Sequence, residues 1–155
     1  MSEQELSSHD SVSVRDVLCG KAIQGVIAVR PETTATAAAD TMLSAGVGSL
    51  LVMDGPRLLG ILTERDFVRM ARDGMASQEV AVRDVMQADV LCCGDDASVD
   101  EAAELMRVHR VRHIPVLAAN EHIVGVVSIG DINAHRVGQC EGTLSQLENY
   151  VYRRA

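Results

Sequence analysis

Two short segments of this chain place a hydroxyl three residues ahead of a carboxylate: Thr63-Glu64-Arg65-Asp66 and Ser128-Ile129-Gly130-Asp131. Each follows an apolar run and opens a stretch of helical character. Two kinds of chemistry fit that spacing. In the simpler one, hydroxyl and carboxylate form a capping box that satisfies unpaired amides of a first helical turn. In the other, the same helix start holds a phosphate on its free amides and hydroxyl. The carboxylate one turn in then accepts both hydroxyls of a ribose diol, as acidic residues do in dinucleotide folds. Ser98-Val99-Asp100-Glu101 has the same form and reads as a cap alone. Gly60 and Gly125, just before the two segments, leave room for a backbone or a flat ring to approach closely. Arg65 reads either as a phosphate contact or as a solvated helix residue.

Other chemistries are weakly represented. Asp131, His113 and Cys93 are candidate catalytic groups, but no nucleophile–base pair and no metal-ligand spacing is legible among them. The four cysteines, Cys19, Cys92, Cys93 and Cys140, contain no C-x-x-C pair. Cys92 and Cys93 are neighbours in an apolar run and point to opposite faces of a strand, which makes a poor zinc clamp. They read as ordinary reduced thiols rather than a redox or metal site.

Composition bounds the partners. The net charge of −8 argues against a phosphate-backbone binder, which needs clustered Lys and Arg. Phe67, Tyr150 and Tyr152 are the whole aromatic inventory, too few to stack the bases of a single strand. No apolar run approaches the length of a membrane span, and Met1 to His9 is polar and acidic, without a signal-peptide core. The expectation is a soluble, cytoplasmic protein that binds neither nucleic acid nor membrane. At 155 residues it is one ordinary domain or two small units sharing a core, built from Val, Ile, Leu, Ala and Met.

The elements that must position the two segments come as a duplication. Val14-Arg15-Asp16-Val17 recurs as Val82-Arg83-Asp84-Val85, and Gly60-Ile61-Leu62-Thr63-x-x-Asp66 as Gly125-Val126-Val127-Ser128-x-x-Asp131. Ala38-Ala39-Asp40 and Met42 match Ala102-Ala103-Glu104 and Met106, and Val47-x-x-Leu50-x-Val52 matches Val111-x-x-Ile114-x-Val116. The offset runs from 68 (14 to 82) to 64 (42 to 106) to 65 (60 to 125), so short loop insertions separate the matched blocks.

Each copy reads as βαββα. A short strand (Val26 to Val29; Val90 to Cys93) leads into a helix with one apolar face: Ala35, Ala38, Ala39 and Met42, or Val99, Ala102, Ala103 and Met106. A hairpin follows, Ser49 to Met53 with Leu58 to Leu62, and His113 to Leu117 with Ile123 to Val127, and the second helix starts at Thr63 or Ser128. The expected organisation is a tail over 1–13, repeat 1 over 14–73, a linker over 74–81, repeat 2 over 82–138 and a C-terminal helix over 143–153. The Val-Arg-Asp-Val segments are expected as short helices packed on the opposite copy. Leu144, Leu147 and Val151 would give the C-terminal helix an apolar face for the core or a second chain.

The unit resembles the CBS (cystathionine β-synthase) domain, and the chain resembles a stand-alone CBS pair, a Bateman-type module of α/β class. The likeness covers roughly Val14 to Arg136 and is strongest in the second copy, VRHIPVLAANEHIVGVVSIGD. It has the family's strand with Pro-Val, hairpin and G-h-h-[ST]-x-x-D. The resemblance implies a pseudo-twofold pair with two clefts, each taking its hydroxyl and Asp from one copy and its first-strand approach from the other. One cleft would use Thr63 and Asp66 with Asp89, Val90 and Leu91. Its twin would use Ser128 and Asp131 with Gly25, Val26 and Ile27. Arg112 and His113 sit where related pairs place basic residues for ligand phosphates, whereas the first copy has Gly48 and Ser49 there. Unequal clefts follow.

The implied function is a regulatory module for AMP, ADP or ATP, with NAD and S-adenosylmethionine as further adenosyl candidates. It would act by conformational change on an unidentified effector protein, as a homodimer. A dimerisation adaptor with vestigial clefts is the alternative. An enzyme acting on adenosyl compounds is the reading least supported.

Overall fold

The computed structural model describes residues 11–22 and 24–139; the expected helix over 143–153, Cys140 and most of the N-terminal tail lie outside the described residues. The order is α1 (Val14–Cys19), β1 (Ala28–Val29), α2 (Ala35–Ala45), β2 (Ser49–Asp54), β3 (Arg57–Thr63), α3 (Glu64–Arg72) for the first half. The second half runs α4 (Val82–Val85), β4 (Cys93–Gly94), α5 (Val99–His109), β5 (His113–Leu117), β6 (Ile123–Ser128) and α6 (129–139).

The duplication holds at the level of register. Two three-stranded sheets have the orders β1-β2-β3 and β4-β5-β6, with the first pair parallel and the hairpin antiparallel. Ala28 sits opposite Leu51 as Cys93 sits opposite Val116. Beyond Val52↔Gly60 and Val116↔Gly125 each hairpin shifts register, leaving Leu59 and Val124 as extra residues of a bulge beside the glycine. The first strands are shorter and later than the apolar runs Val26–Val29 and Val90–Cys93 indicate. Ile27 O still accepts from Leu51 N–H, and the chain crosses to the other copy further upstream, at Lys21, which bonds Val126 O, and at Gln87, which pairs with Ile61.

The helices bury the expected faces. Ala35, Ala38 and Met42 of α2, and Val99, Ala102 and Met106 of α5, are buried, while Ala39 and Ala103 are half-buried. Ser98 and Glu101 form the expected cap: Ser98 N–H donates to Glu101 Oε2 at 2.8 Å and Glu101 N–H to Ser98 Oγ at 3.1 Å. Gly46, with φ +66°, ends α2 in the left-handed conformation, and Arg110 ends α5 at φ +55°.

The two halves exchange their short helices. Val14 and Val17 of α1 sit in one core cluster with Val99, Met106, Ile114, Val116, Val127 and Ile132. Val82 of α4 completes the other, with Ala38, Met42, Leu50, Val52 and Leu62. Backbone bonds repeat the exchange: Val14 N–H donates to Ala97 O and Arg15 N–H to Asp95 O, while Val82 N–H donates to Thr33 O and Arg83 N–H to Pro31 O. Each fully buried aliphatic adds roughly 1.5–3 kcal/mol, so neither half closes its core without the other's helix.

Candidate functional site

Both Thr63 and Ser128 are the last residues of a strand and cap the helix that follows. Ser128 N–H and Oγ–H each donate to Asp131 Oδ2 at 2.8 Å, and Asp131 N–H returns a bond to Ser128 Oγ at 3.1 Å. Thr63 N–H and Oγ1–H donate to Asp66 Oδ2 at 2.7 and 3.0 Å. The next amide of each helix is also taken: Ile129 N–H donates to Arg112 O and Glu64 N–H to Gly48 O. The helix starts are therefore not the bare anion sites that spacing alone allows. Positive charge for a phosphate must come from side chains.

A cavity of about 280 Å³ opens beside Asp131. Its own copy supplies Ser128, Asp131, Val126 and His113; the other supplies Gly25 and Ile27 from the approach to β1, and Gly46 to Ser49 from the turn before β2. Lys21 and Ala22 close one side. The structure thus gathers Ser128, Asp131, His113, Gly25 and Ile27 in one place, while Val26 is partly exposed and absent from the lining. The missing side chain at Gly48 is part of the shape, since a Cβ there would lie 3.2 Å from His113 Nε2.

Lys21 is the residue sequence reasoning missed. Its ammonium donates to Asp131 Oδ2 at 2.8 Å and to Val126 O at 2.9 Å, with both side chains largely buried. Burial opposes the ionised form of Asp131, but the Lys21 ammonium and the bonds from Ser128 outweigh it and hold the carboxyl below its ordinary range. For His113, burial is the largest influence and lowers the pKa, with Glu64 opposing it and Arg112 adding to it, so the imidazole is neutral at pH 7. A signal for Lys21 existed: eleven positions separate Val17 from Ala28 where eight separate Val85 from Cys93, and Lys21 lies in the longer loop.

The cavity beside Thr63 holds about 60 Å³. It is lined by Thr63, Glu64 and Arg65 of α3 and its cap, by Gln87, and by Arg110 to His113; Arg112 lies here, and His113 borders both cavities. Arg65 is exposed on α3, as a solvated helix residue would be, and its Nη1 donates to Arg110 O at 3.1 Å, a bond between the copies. Asp66 is 1% exposed, and its Oδ1 accepts from Arg69 at 3.1 Å and Gln87 at 3.3 Å. Asp89, Val90 and Leu91 do not line this cavity; Asp89 is exposed and Leu91 packs on the second core. The cause is the shorter loop. It runs straight over β3, pairs Gln87 with Ile61 in both directions, and lays Met86 and Gln87 where a Cβ on Gly60 would have to be. At Gly125 the nearest atoms, from Leu18, are 3.3 Å or more from such a Cβ, a looser approach.

The remaining candidates do not converge on a reaction centre. Cys93 is buried away from Asp131, and burial with the adjacent Cys92 pushes its thiol up to about 11. Among the described residues no group of three His, Cys, Asp or Glu side chains is placed to hold a metal ion. No described helix is long and apolar enough to cross a membrane.

Comparison with known proteins agrees with this architecture. Residues 12–73 and 82–138 match the family model of the CBS domain. The chain is 30% identical to the CBS domain-containing protein YhcV of Bacillus subtilis over 142 residues, 91% of this chain and 96% of that protein. It is 34% identical over 115 residues to an inosine-5′-monophosphate dehydrogenase of Methanocaldococcus jannaschii, which is 74% of this chain but 22% of the dehydrogenase. A putative signal-transduction protein with CBS domains from Burkholderia ambifaria superposes with TM-score 0.78 at 32% identity, covering 82% of this chain and 95% of that one. Two more distant structures share the fold. One is PAE2072 of Pyrobaculum aerophilum, solved with AMP (23% identity, TM-score 0.69, covering 77% and 89%). The other is a CBS domain pair solved with 5′-methylthioadenosine and S-adenosyl-L-methionine (22%, TM-score 0.73, covering 83% and 98%). The chain belongs to the CBS-domain family, as a tandem pair of repeats.

Proposed function

We propose that this chain is a regulatory module that binds an adenosine nucleotide, AMP, ADP or ATP, in the cleft at Asp131. One observation carries the reading: a carboxylate fixed by its own helix cap faces an open cavity that the other copy completes with Gly25 and Ile27. A ligand there touches both copies at once. It therefore favours the conformation in which the two approach correctly, and the bias equals its differential affinity for that state. Relatives solved with AMP, or with S-adenosylmethionine and 5′-methylthioadenosine, support an adenosyl ligand; NAD carries the same adenosine. The module works in the cytoplasm on an effector protein, without chemistry of its own.

Calorimetric titration of nucleotide-free protein with AMP, ATP, NAD and S-adenosylmethionine tests this. Saturable heat that Asp131→Ala abolishes is expected; no heat with any of them at millimolar concentration sinks the reading, and turnover of the nucleotide would make the protein an enzyme.

A dimerising adaptor is the second reading, favoured by the large exposed apolar residues Leu43 on α2 and Val108 on α5, which suit a homodimer face. Ligand-dependent melting that survives an Asp66→Ala, Asp131→Ala double substitution would favour it.

A further inference from the structure

The charges of the Asp131 cleft bear on which adenosyl ligand it takes, an inference that rests on the adenosyl reading above and narrows it. A carboxylate suited to a ribose diol is a poor neighbour for a phosphate on the same nucleoside, because the two anions repel across a desolvated cleft. Here that anion is matched. The Lys21 ammonium sits 2.8 Å from Asp131 Oδ2 and 2.9 Å from Val126 O. Those contacts use two of its three N–H donors, and the third is left for a ligand, since Lys21 itself lines the cavity. Lys21 and Asp131 are the charged pair of this lining; His113 is neutral at pH 7 and the other lining residues carry no charge. Glu64 and Arg112, which flank His113 from the neighbouring cavity, are of opposite sign.

In the other cleft the carboxylate is matched differently, since Asp66 pairs with Arg69 of its own helix. Position 21 belongs to the loop that is three residues longer in the first copy, and at Asp66 the corresponding crossing residue is the uncharged Gln87. A cation carried on the crossing loop is thus specific to the roomier cleft.

We infer that Lys21 cancels the Asp131 charge and offers its remaining donor to an anionic 5′ substituent, so that this cleft selects 5′-phosphorylated adenosine over neutral or cationic adenosyl compounds. A nucleoside without phosphate gains nothing from the ammonium. S-adenosylmethionine brings a sulfonium toward it and is disfavoured.

The test titrates AMP, adenosine and S-adenosylmethionine into nucleotide-free wild type, Lys21→Gln and Lys21→Met, with melting temperatures recorded without ligand. Wild type should bind AMP about tenfold or more tighter than adenosine, the scale of one hydrogen bond to a charged group. In both variants that ratio should fall toward one, and S-adenosylmethionine should gain relative to AMP. Because the ligands are compared on the same protein, a general weakening of the fold cancels from the ratio. An unchanged AMP-to-adenosine ratio in Lys21→Gln would make Lys21 a structural tether and overturn the inference while leaving the adenosyl reading intact. Wild type that binds none of the three overturns the inference, and silence with ATP and NAD as well overturns the adenosyl reading.

Discussion

The carboxylates of Asp66 and Asp131 take the same pair of bonds from their own caps and differ in what covers the rest. At Asp66, Arg69 and Gln87 occupy Oδ1 and the side chain is 1% exposed. At Asp131, one ammonium stands on Oδ2, toward an open cavity. Asp66→Ala should therefore act on stability, lowering the urea-unfolding free energy by about 1–3 kcal/mol through the lost cap and the orphaned partners. Asp131→Ala should cost about 0.5–2 kcal/mol as a lost cap but remove ligand binding. Equal effects of the two on affinity would contradict the assignment. His113 adds a pH dependence. Its folded pKa lies below the ordinary 6.5. As pH falls below 6.5 the unfolded chain takes up a proton that the folded chain resists, so stability drops until the depressed pKa is passed; above 6.5 both forms are neutral and there is no slope. His113→Asn should flatten the change in urea midpoint between about pH 7 and pH 5.5. Asp131 works further down: its stabilisation is complete above the ordinary 3.8 and is lost as pH falls through its lowered pKa.

At the scale of elements, α2 and α5 end alike in the left-handed conformation, but with Gly46 in one copy and Arg110 in the other. A non-glycine residue there carries a backbone cost of about 1 kcal/mol. Arg110→Gly should raise the melting temperature even though it removes a guanidinium from the smaller cavity; a lower melting temperature would show that the Arg110 side chain stabilises more than its backbone costs. Gly60→Val should fail in the opposite sense, since a Cβ would meet Met86 Sδ at 2.5 Å and Gln87 O at 2.8 Å, and the second of these is backbone. The repeat, the hairpins, the buried helix faces and the Ser98 cap were all legible from periodicity and spacing, because each depends on contacts a few residues apart. Of the set that the family likeness implies for the Asp131 cleft, Ser128, Asp131, Gly25 and Ile27 line its cavity and Val26 does not. What was not legible is the path of the two loops that cross between copies. The family resemblance implies Asp89, Val90 and Leu91 in the cleft, but a loop three residues shorter lands Gln87 there instead. Loop length carried the information; residue type did not.

For the whole molecule, the exchange of α1 and α4 makes the two halves one cooperative unit, and the unequal loops give that unit one roomy cleft and one nearly filled. Titration should accordingly find one adenosine nucleotide per chain, with the second cleft silent. Its filling is intrinsic to the short loop, so substitution alone at Asp66 should not open it. Lengthening is the informative change. Inserting the three residues Lys-Ala-Ile after Met86 would give the second crossing the length of the first and let Gln87 withdraw from Ile61 and Asp66. A second equivalent of AMP bound by the insertion variant, at unchanged affinity for the first, would show that loop length sets the stoichiometry. One equivalent in both proteins would mean that the arginines lining the smaller cavity, or Asp66's pairing with Arg69, close it independently. The outer faces enter the same experiment, because Leu43 (81% exposed) and Val108 (57%) lie on α2 and α5 rather than at the clefts. Leu43→Glu with Val108→Glu should halve the mass seen by sedimentation if these faces join two chains, and leave the nucleotide stoichiometry per chain unchanged. A change in that stoichiometry on dissociation would show that the second chain, not the second copy, completes the cleft.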